Sequence, residues 1–108
     1  NSISELVFTC LTSLLTQMTV DDEIIFFCDG NDYVDKLKMI CNKYHVNYKL
    51  LTFDYKSASK IHYESTIYIN SNETHDQIYI CEDDYLHFDG SLYKIKEFLK
   101  KYPNYFCQ

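Results

Sequence analysis

Three consecutive carboxylates, Glu82-Asp83-Asp84, close an apolar run that ends at Cys81. A second acidic pair, Asp29 and Asp32, follows another such run, Ile24-Ile25-Phe26-Phe27-Cys28. Like charges set side by side repel one another, so a cluster of this kind persists only where solvent or a cation neutralises it. Hard divalent cations such as Mn²⁺ or Mg²⁺ favour oxygen ligands and keep coordination positions open for phosphate oxygens. Carboxylates at the end of a buried strand therefore suit a metal-diphosphate site. The competing reading is a solvated loop, and Asp29-Gly30-Asn31-Asp32 is also a dense turn signal in its own right. The triplet is the sharper feature, because it follows an apolar run directly. His87 lies three residues beyond Asp84 and fits either a contact near that site or a packing histidine, whereas His62 and His75 belong to no motif.

The elements that would position these acids alternate. Leu6, Val7, Cys10, Leu11, Leu14 and Leu15 mark one face of a helix over Ser4 to Met18, with Ser2 or Ser4 as its cap. Ile24 to Cys28 is a short continuous apolar run, as expected of a strand buried on both faces. The spacing of Val34, Leu37, Ile40 and Cys41 predicts a helix from about Tyr33 to Tyr44, and Val46 to Phe53 reads as a second strand. Residues 57–70 fit a helix through Ala58, Ile61, His62, Ser65 and Ile69, although Thr66-Ile67-Tyr68-Ile69 has strand propensity. Gln77 to Cys81 reads as a third strand. After Gly90, Ser91 to Tyr102 reads as a last helix ahead of Pro103, with Leu92, Ile95, Phe98 and Leu99 on its buried side. Alternation of helix and strand predicts a three-layer α/β/α fold with a mostly parallel, Rossmann-like sheet. In such sheets ligands bind outside the carboxyl ends of the strands, where both acidic clusters fall.

The 108 residues suit a single domain, and 46% hydrophobic with 24% charged residues is ordinary for a globular chain. A net charge of -6 argues against a nucleic-acid backbone as partner, but a bound cation can invert the local charge and admit a phosphate ligand. The 5 cysteines show no CxxC spacing and are read as buried free thiols of a reducing compartment rather than as a disulfide framework or zinc site. No apolar stretch is long enough to span a bilayer and no signal peptide is visible, so a cytoplasmic location is expected.

Tyr79-Ile80-Cys81-Glu82-Asp83-Asp84-Tyr85-Leu86-His87 resembles the EDD form of the DxD motif of GT-A glycosyltransferases. Ile24 to Asp32 resembles the earlier strand and DGSxD-like turn of the same fold. Asn1, Leu6 and Thr12-Ser13-Leu14-Leu15 resemble the helix that follows the family's first strand, and the helix after Gly90 also falls where the family has one. The resemblance implies a GT-A sheet and a nucleotide-diphospho-sugar donor, with transfer of its sugar to an unknown acceptor. It implies Asp84 as ligand of the metal ion that bridges the donor diphosphate, with Asp83 beside it. Glu82 and Asp83 would contact ribose or sugar, Asp29 the nucleoside, and Asp32 would support the turn. The family's first strand should precede Asn1, and its acceptor half and catalytic base should follow the last helix. The chain is therefore expected to be a fragment or a reduced relative.

Two other readings stand beside this one. The chain could be a non-catalytic GT-A-like interaction domain of a larger assembly, of a virus for instance, for which the 11 tyrosines would suit a contact surface. A receiver-like phosphoacceptor domain also gathers acids at strand ends. It places them after its first strand and uses a later lysine, a pattern not evident here.

Overall fold

The computed structural model describes residues 2–72 and 77–102. Asn1, His75 and Pro103 lie outside them. The chain divides into two compact units, one comprising Val20–Thr74 and the other Asn1–Thr19 with His75–Gln108. Among the described residues there are four helices and one two-stranded parallel sheet, an α/β arrangement.

The Val20–Thr74 unit is built on strand β1 (Glu23–Asp29) and strand β2 (Asn47–Phe53), joined through a helix, Val34–Lys43. They pair in parallel from Glu23↔Asn47 to Asp29↔Phe53, and the Gly30 amide extends the ladder by donating to the Phe53 carbonyl at 2.7 Å. The connecting helix buries Leu37 and Cys41, the i, i+4 pair expected from its apolar spacing. It stops where His45 adopts a left-handed backbone (φ 55). The His45 amide then reaches the Asn42 carbonyl and the Val46 amide the Cys41 carbonyl, the two bonds that satisfy a helix's last carbonyls in a Schellman turn. The second helix of this unit, Ala58–Asn72, confirms helix over strand for Thr66–Ile69. Its half-buried face is Ile61, Ser65, Tyr68 and Ile69, and the Tyr68 ring meets Phe27 of β1 edge-on at 5.7 Å. β1 is half-buried from Glu23 to Cys28 rather than buried on both faces, since β2 is its one strand neighbour among the described residues.

The other unit holds helices Ser2–Leu15 and Ser91–Lys101. The first buries Phe8, Cys10, Leu14 and Leu15, the last only 2% exposed. Full burial of one such side chain contributes roughly 1.5–3 kcal/mol. Most of the predicted stripe holds, with Cys10, Leu14 and Leu15 buried and Val7 and Leu11 half-buried, but Leu6 is 54% exposed and Phe8 joins the core. The helix Ser91–Lys101 buries Leu92 and Leu99, while Phe98 turns outward and packs on Tyr102 with ring centroids 5.0 Å apart. Among the described residues the predicted strand Gln77 to Cys81 is reduced to a bridge at Tyr79. The segment is half-buried from Ile78 to Cys81, so its apolar residues are drawn inward.

For convenience the helices are α1 (Ser2–Leu15), α2 (Val34–Lys43), α3 (Ala58–Asn72) and α4 (Ser91–Lys101). None of them, among the described residues, is long and apolar enough to cross a membrane. The described cysteines Cys10, Cys28, Cys41 and Cys81 are free thiols.

Candidate functional site

Glu82, Asp83 and Asp84 lie between the Gln77–Cys81 segment and α4, all three exposed. The chain turns there, with the Tyr85 amide donating to the Glu82 carbonyl at 3.4 Å. Asp84 lines an open depression of about 420 Å³ together with Tyr79, Tyr85, His87, Phe88 and Ser91. The floor is polar chemistry in an apolar setting. His87 is only 7% exposed, and its Nε2 shares a hydrogen bond with the Tyr79 hydroxyl at 2.8 Å. Burial lowers the His87 pKa, and the nearby Tyr85 carbonyl opposes part of that shift. Its Nδ1 and the Ser91 hydroxyl oxygen are buried without a partner in hydrogen-bonding geometry among the described residues. His87 is thus a packed histidine that also borders the depression.

Cys81 precedes the acids. Burial raises its thiol pKa, a hydrogen bond with the Tyr79 side chain pulls it back, and the charge of Asp83 raises it again. A thiol held protonated is a poor nucleophile, so this cysteine does not read as a catalytic one.

The acids at the end of β1 are arranged differently. The Asp29 carboxylate accepts the amides of Tyr55 (2.9 Å), Lys56 (3.0 Å) and Ser57 (2.8 Å) from the turn that leads into α3. Lys56 takes a left-handed backbone (φ 52), which lets three successive amides converge on one anion. The Lys56 amide leads in holding the Asp29 carboxyl below the usual range, partial desolvation opposes it, and the Ser57 and Tyr55 amides and the Lys56 charge add to the lowering. Asp29 therefore ties β1 to the start of α3, a use that the sequence reading, which placed it against a nucleoside, did not foresee. Asp32 is exposed in the turn before α2. Asp29 and Asp32 belong to the Val20–Thr74 unit and the acidic triplet to the other.

A divalent ion fits the triplet in kind. Asp84 borders the depression, Asp83 is exposed beside it, and Mg²⁺ is ordinarily held by one or two carboxylates and completed by water and phosphate oxygens. Among the described residues no three His, Cys, Asp or Glu side chains gather into a metal-binding group, so most of such a shell would come from the ligand.

Sequence reasoning missed Tyr79, Ser91 and Gln17. Tyr79 and His87 are 8 residues apart, and Gln17 contacts residues more than 70 positions away, distances at which no local pattern operates.

No protein-family model, no curated protein and no solved structure matches this chain.

Proposed function

We propose that this chain binds a nucleotide-diphospho-sugar, as the donor-binding part of a metal-dependent GT-A type glycosyltransferase acting on an unknown acceptor. The observation that carries this reading is the position of Asp84, an exposed carboxylate bordering a depression with aromatic and polar walls. Asp84 and Asp83 would hold Mn²⁺ or Mg²⁺, and Glu82 and Asp83 would contact ribose or sugar hydroxyls. When bound, the ion supplies Lewis-acid stabilisation of the departing nucleoside diphosphate. Tyr85 and Phe88, 40% and 76% exposed, offer apolar faces beside the carboxylate, as ligand pockets commonly do. Asp29 enters as the residue that shapes the turn before α3, and Asp32 as part of the turn before α2.

The test is calorimetric titration with UDP- and GDP-sugars in the presence of Mn²⁺, comparing the natural chain with Asp84→Ala. Loss of a metal ligand is expected to weaken binding by more than about tenfold. Equal binding by the two proteins sinks the assignment.

The exposure of Leu86 (54%), Phe88 (76%) and Tyr93 (68%) in the same unit favours a second reading, a non-catalytic contact surface of a larger assembly. Under that reading neither protein takes up a nucleotide-sugar, while Phe88→Ser disrupts association with the partner.

A further inference from the structure

We propose that Ser13 of α1 and Gln17 in the turn that follows it are positioning residues that hold the acidic loop in the shape needed to bind a metal-nucleotide ligand. This rests on the donor-binding reading above. The Gln17 side chain uses both ends of its amide. Nε2 donates to the Phe88 carbonyl at 2.9 Å and to the Ser13 carbonyl at 3.0 Å, with a longer contact of 3.4 Å to the His87 carbonyl. Oε1 accepts the Leu92 amide at 2.9 Å. Ser13 works alongside: its hydroxyl oxygen accepts the His87 amide at 2.9 Å and donates to the Cys10 carbonyl at 2.5 Å.

These bonds meet a need that the local sequence leaves open. α4 begins after Gly90 (φ 82), which has no side chain with which to cap the first-turn amides. Gln17 supplies the missing acceptor from the turn after α1. Among the described residues, the segment that carries the acids joins no strand ladder, and it is shaped by the bridge at Tyr79 and the short turns at Glu82–Tyr85 and Phe88–Ser91. Its far end is tied by the Tyr79–His87 bond at 2.8 Å. Asp83 and Asp84 therefore lie between a tether at Tyr79 and a clamp at His87, Phe88 and Leu92. Binding groups act well only when held within roughly 0.5 Å of their working geometry, and here the holding is done by Ser13 of α1 and Gln17 just after it. A neutral amide suits the position because it must both give and take a hydrogen bond. Glutamate would keep the bond from Leu92 and lose the one to Phe88; methionine would keep the volume and lose both.

The experiment uses the full chain as Gln17→Met, Gln17→Glu and Ser13→Ala, with binding of Mn²⁺ plus UDP, and of Mn²⁺ plus GDP, measured by calorimetry well below each melting temperature. Hydrogen exchange over residues 82–92 is followed in parallel. Gln17→Met is expected to weaken binding by about tenfold, the scale of lost supporting contacts around a metal site, and to speed exchange in that segment selectively. Gln17→Glu is expected to weaken binding as well, because a carboxylate keeps the Leu92 bond but sets an acceptor against the Phe88 and Ser13 carbonyls, and the confinement of faster exchange to residues 82–92 distinguishes this from a loss of general stability. If folded Gln17→Met binds as the natural chain does, the clamp is overturned and the donor-binding reading stands. If Gln17→Met does not fold, undiminished binding by Ser13→Ala overturns the clamp in its place. If the natural chain binds neither nucleotide, the donor-binding reading falls and the positioning role falls with it.

Discussion

Asp29 and Asp84 both follow an apolar run, and in both cases a cysteine marks the end of that run, Cys28 and Cys81. At Asp29 the run forms a strand with a full parallel register, and the turn after the neighbouring strand folds over the carboxylate until three amides point at it. At Asp84 the run joins no strand ladder among the described residues, and the chain turns with its carboxylates exposed. The difference teaches that an acid at a strand end is ambiguous until the neighbouring loop is known. Where backbone donors are within reach, the carboxylate becomes part of the scaffold. Where none is, it stays open to an external cation.

This contrast fails if the two acids respond alike to removal. Asp84→Ala is expected to abolish Mn²⁺-dependent nucleotide binding and leave the melting temperature unchanged, since it makes no hydrogen bond that the fold uses. Asp29→Ala is expected to lower the melting temperature and to speed hydrogen exchange at Lys56 and Ser57. Its pH dependence has a definite sign. The folded-state pKa of Asp29 is lowered, so the native form binds its proton less readily than the unfolded chain does. The stabilisation is complete above the unfolded value, about 3.9, and is lost as pH falls through the lower folded value. Acid melts of the natural chain should show this added slope below about pH 4, and those of Asp29→Ala should lack it. An identical acid slope in both proteins would show that the three amides do not favour the charged form.

What the sequence disclosed follows from the range of the forces involved. Helix periodicity and turn residues act over a few positions, and so α2, β2, α3 and α4 fall where Leu37 and Cys41, the Val46–Phe53 run, Ile61 to Ile69, and Gly90 place them. The ambiguous stretch Thr66–Ile69 became helix because its Tyr68 and Ile69 share one half-buried face with Ile61, Glu64 and Ser65, and the i, i+4 pattern overrides local strand propensity. The run Gln77 to Cys81 forms no strand among the described residues beyond a bridge at Tyr79, because apolar content shows that a segment is drawn inward but does not set the length of its pairing. The acids themselves were legible. Their use was not, since the amides at Tyr55, Lys56 and Ser57 lie 26 to 28 residues from Asp29 and reach it only through the β1–β2 pairing.

A smaller effect concerns how the open loop is tethered. Tyr79→Phe removes the hydroxyl and leaves His87 Nε2 without its partner in a side chain only 7% exposed. Leaving such a group unsatisfied costs about 1–3 kcal/mol, measurable by chemical denaturation. Nucleotide binding should weaken along with it if the tether shapes the acidic loop. A stability loss with undiminished affinity would mean that the tether serves packing alone.

The smallest effect reads the two cysteines that precede the acids. Burial raises the thiol pKa at both Cys28 and Cys81, but only at Cys81 does a neighbouring carboxylate, Asp83, add its charge to the shift. Negative charge near a thiol disfavours the thiolate, so Asp83→Asn should lower the Cys81 pKa and hasten its alkylation a few-fold at mildly alkaline pH. The rate at Cys28 should not change, because burial alone raises that thiol. Site-resolved alkylation rates by mass spectrometry distinguish the two thiols. Added salt offers an internal control: it should shrink the difference between Asp83→Asn and the natural chain, since a charge on an exposed carboxylate is screened over about 10 Å at 0.1 M ionic strength. Insensitivity of Cys81 to both substitution and salt would place the Asp83 charge too far from the thiol to matter. It would also remove one sign that negative charge accumulates at the acidic triplet and calls for a cation.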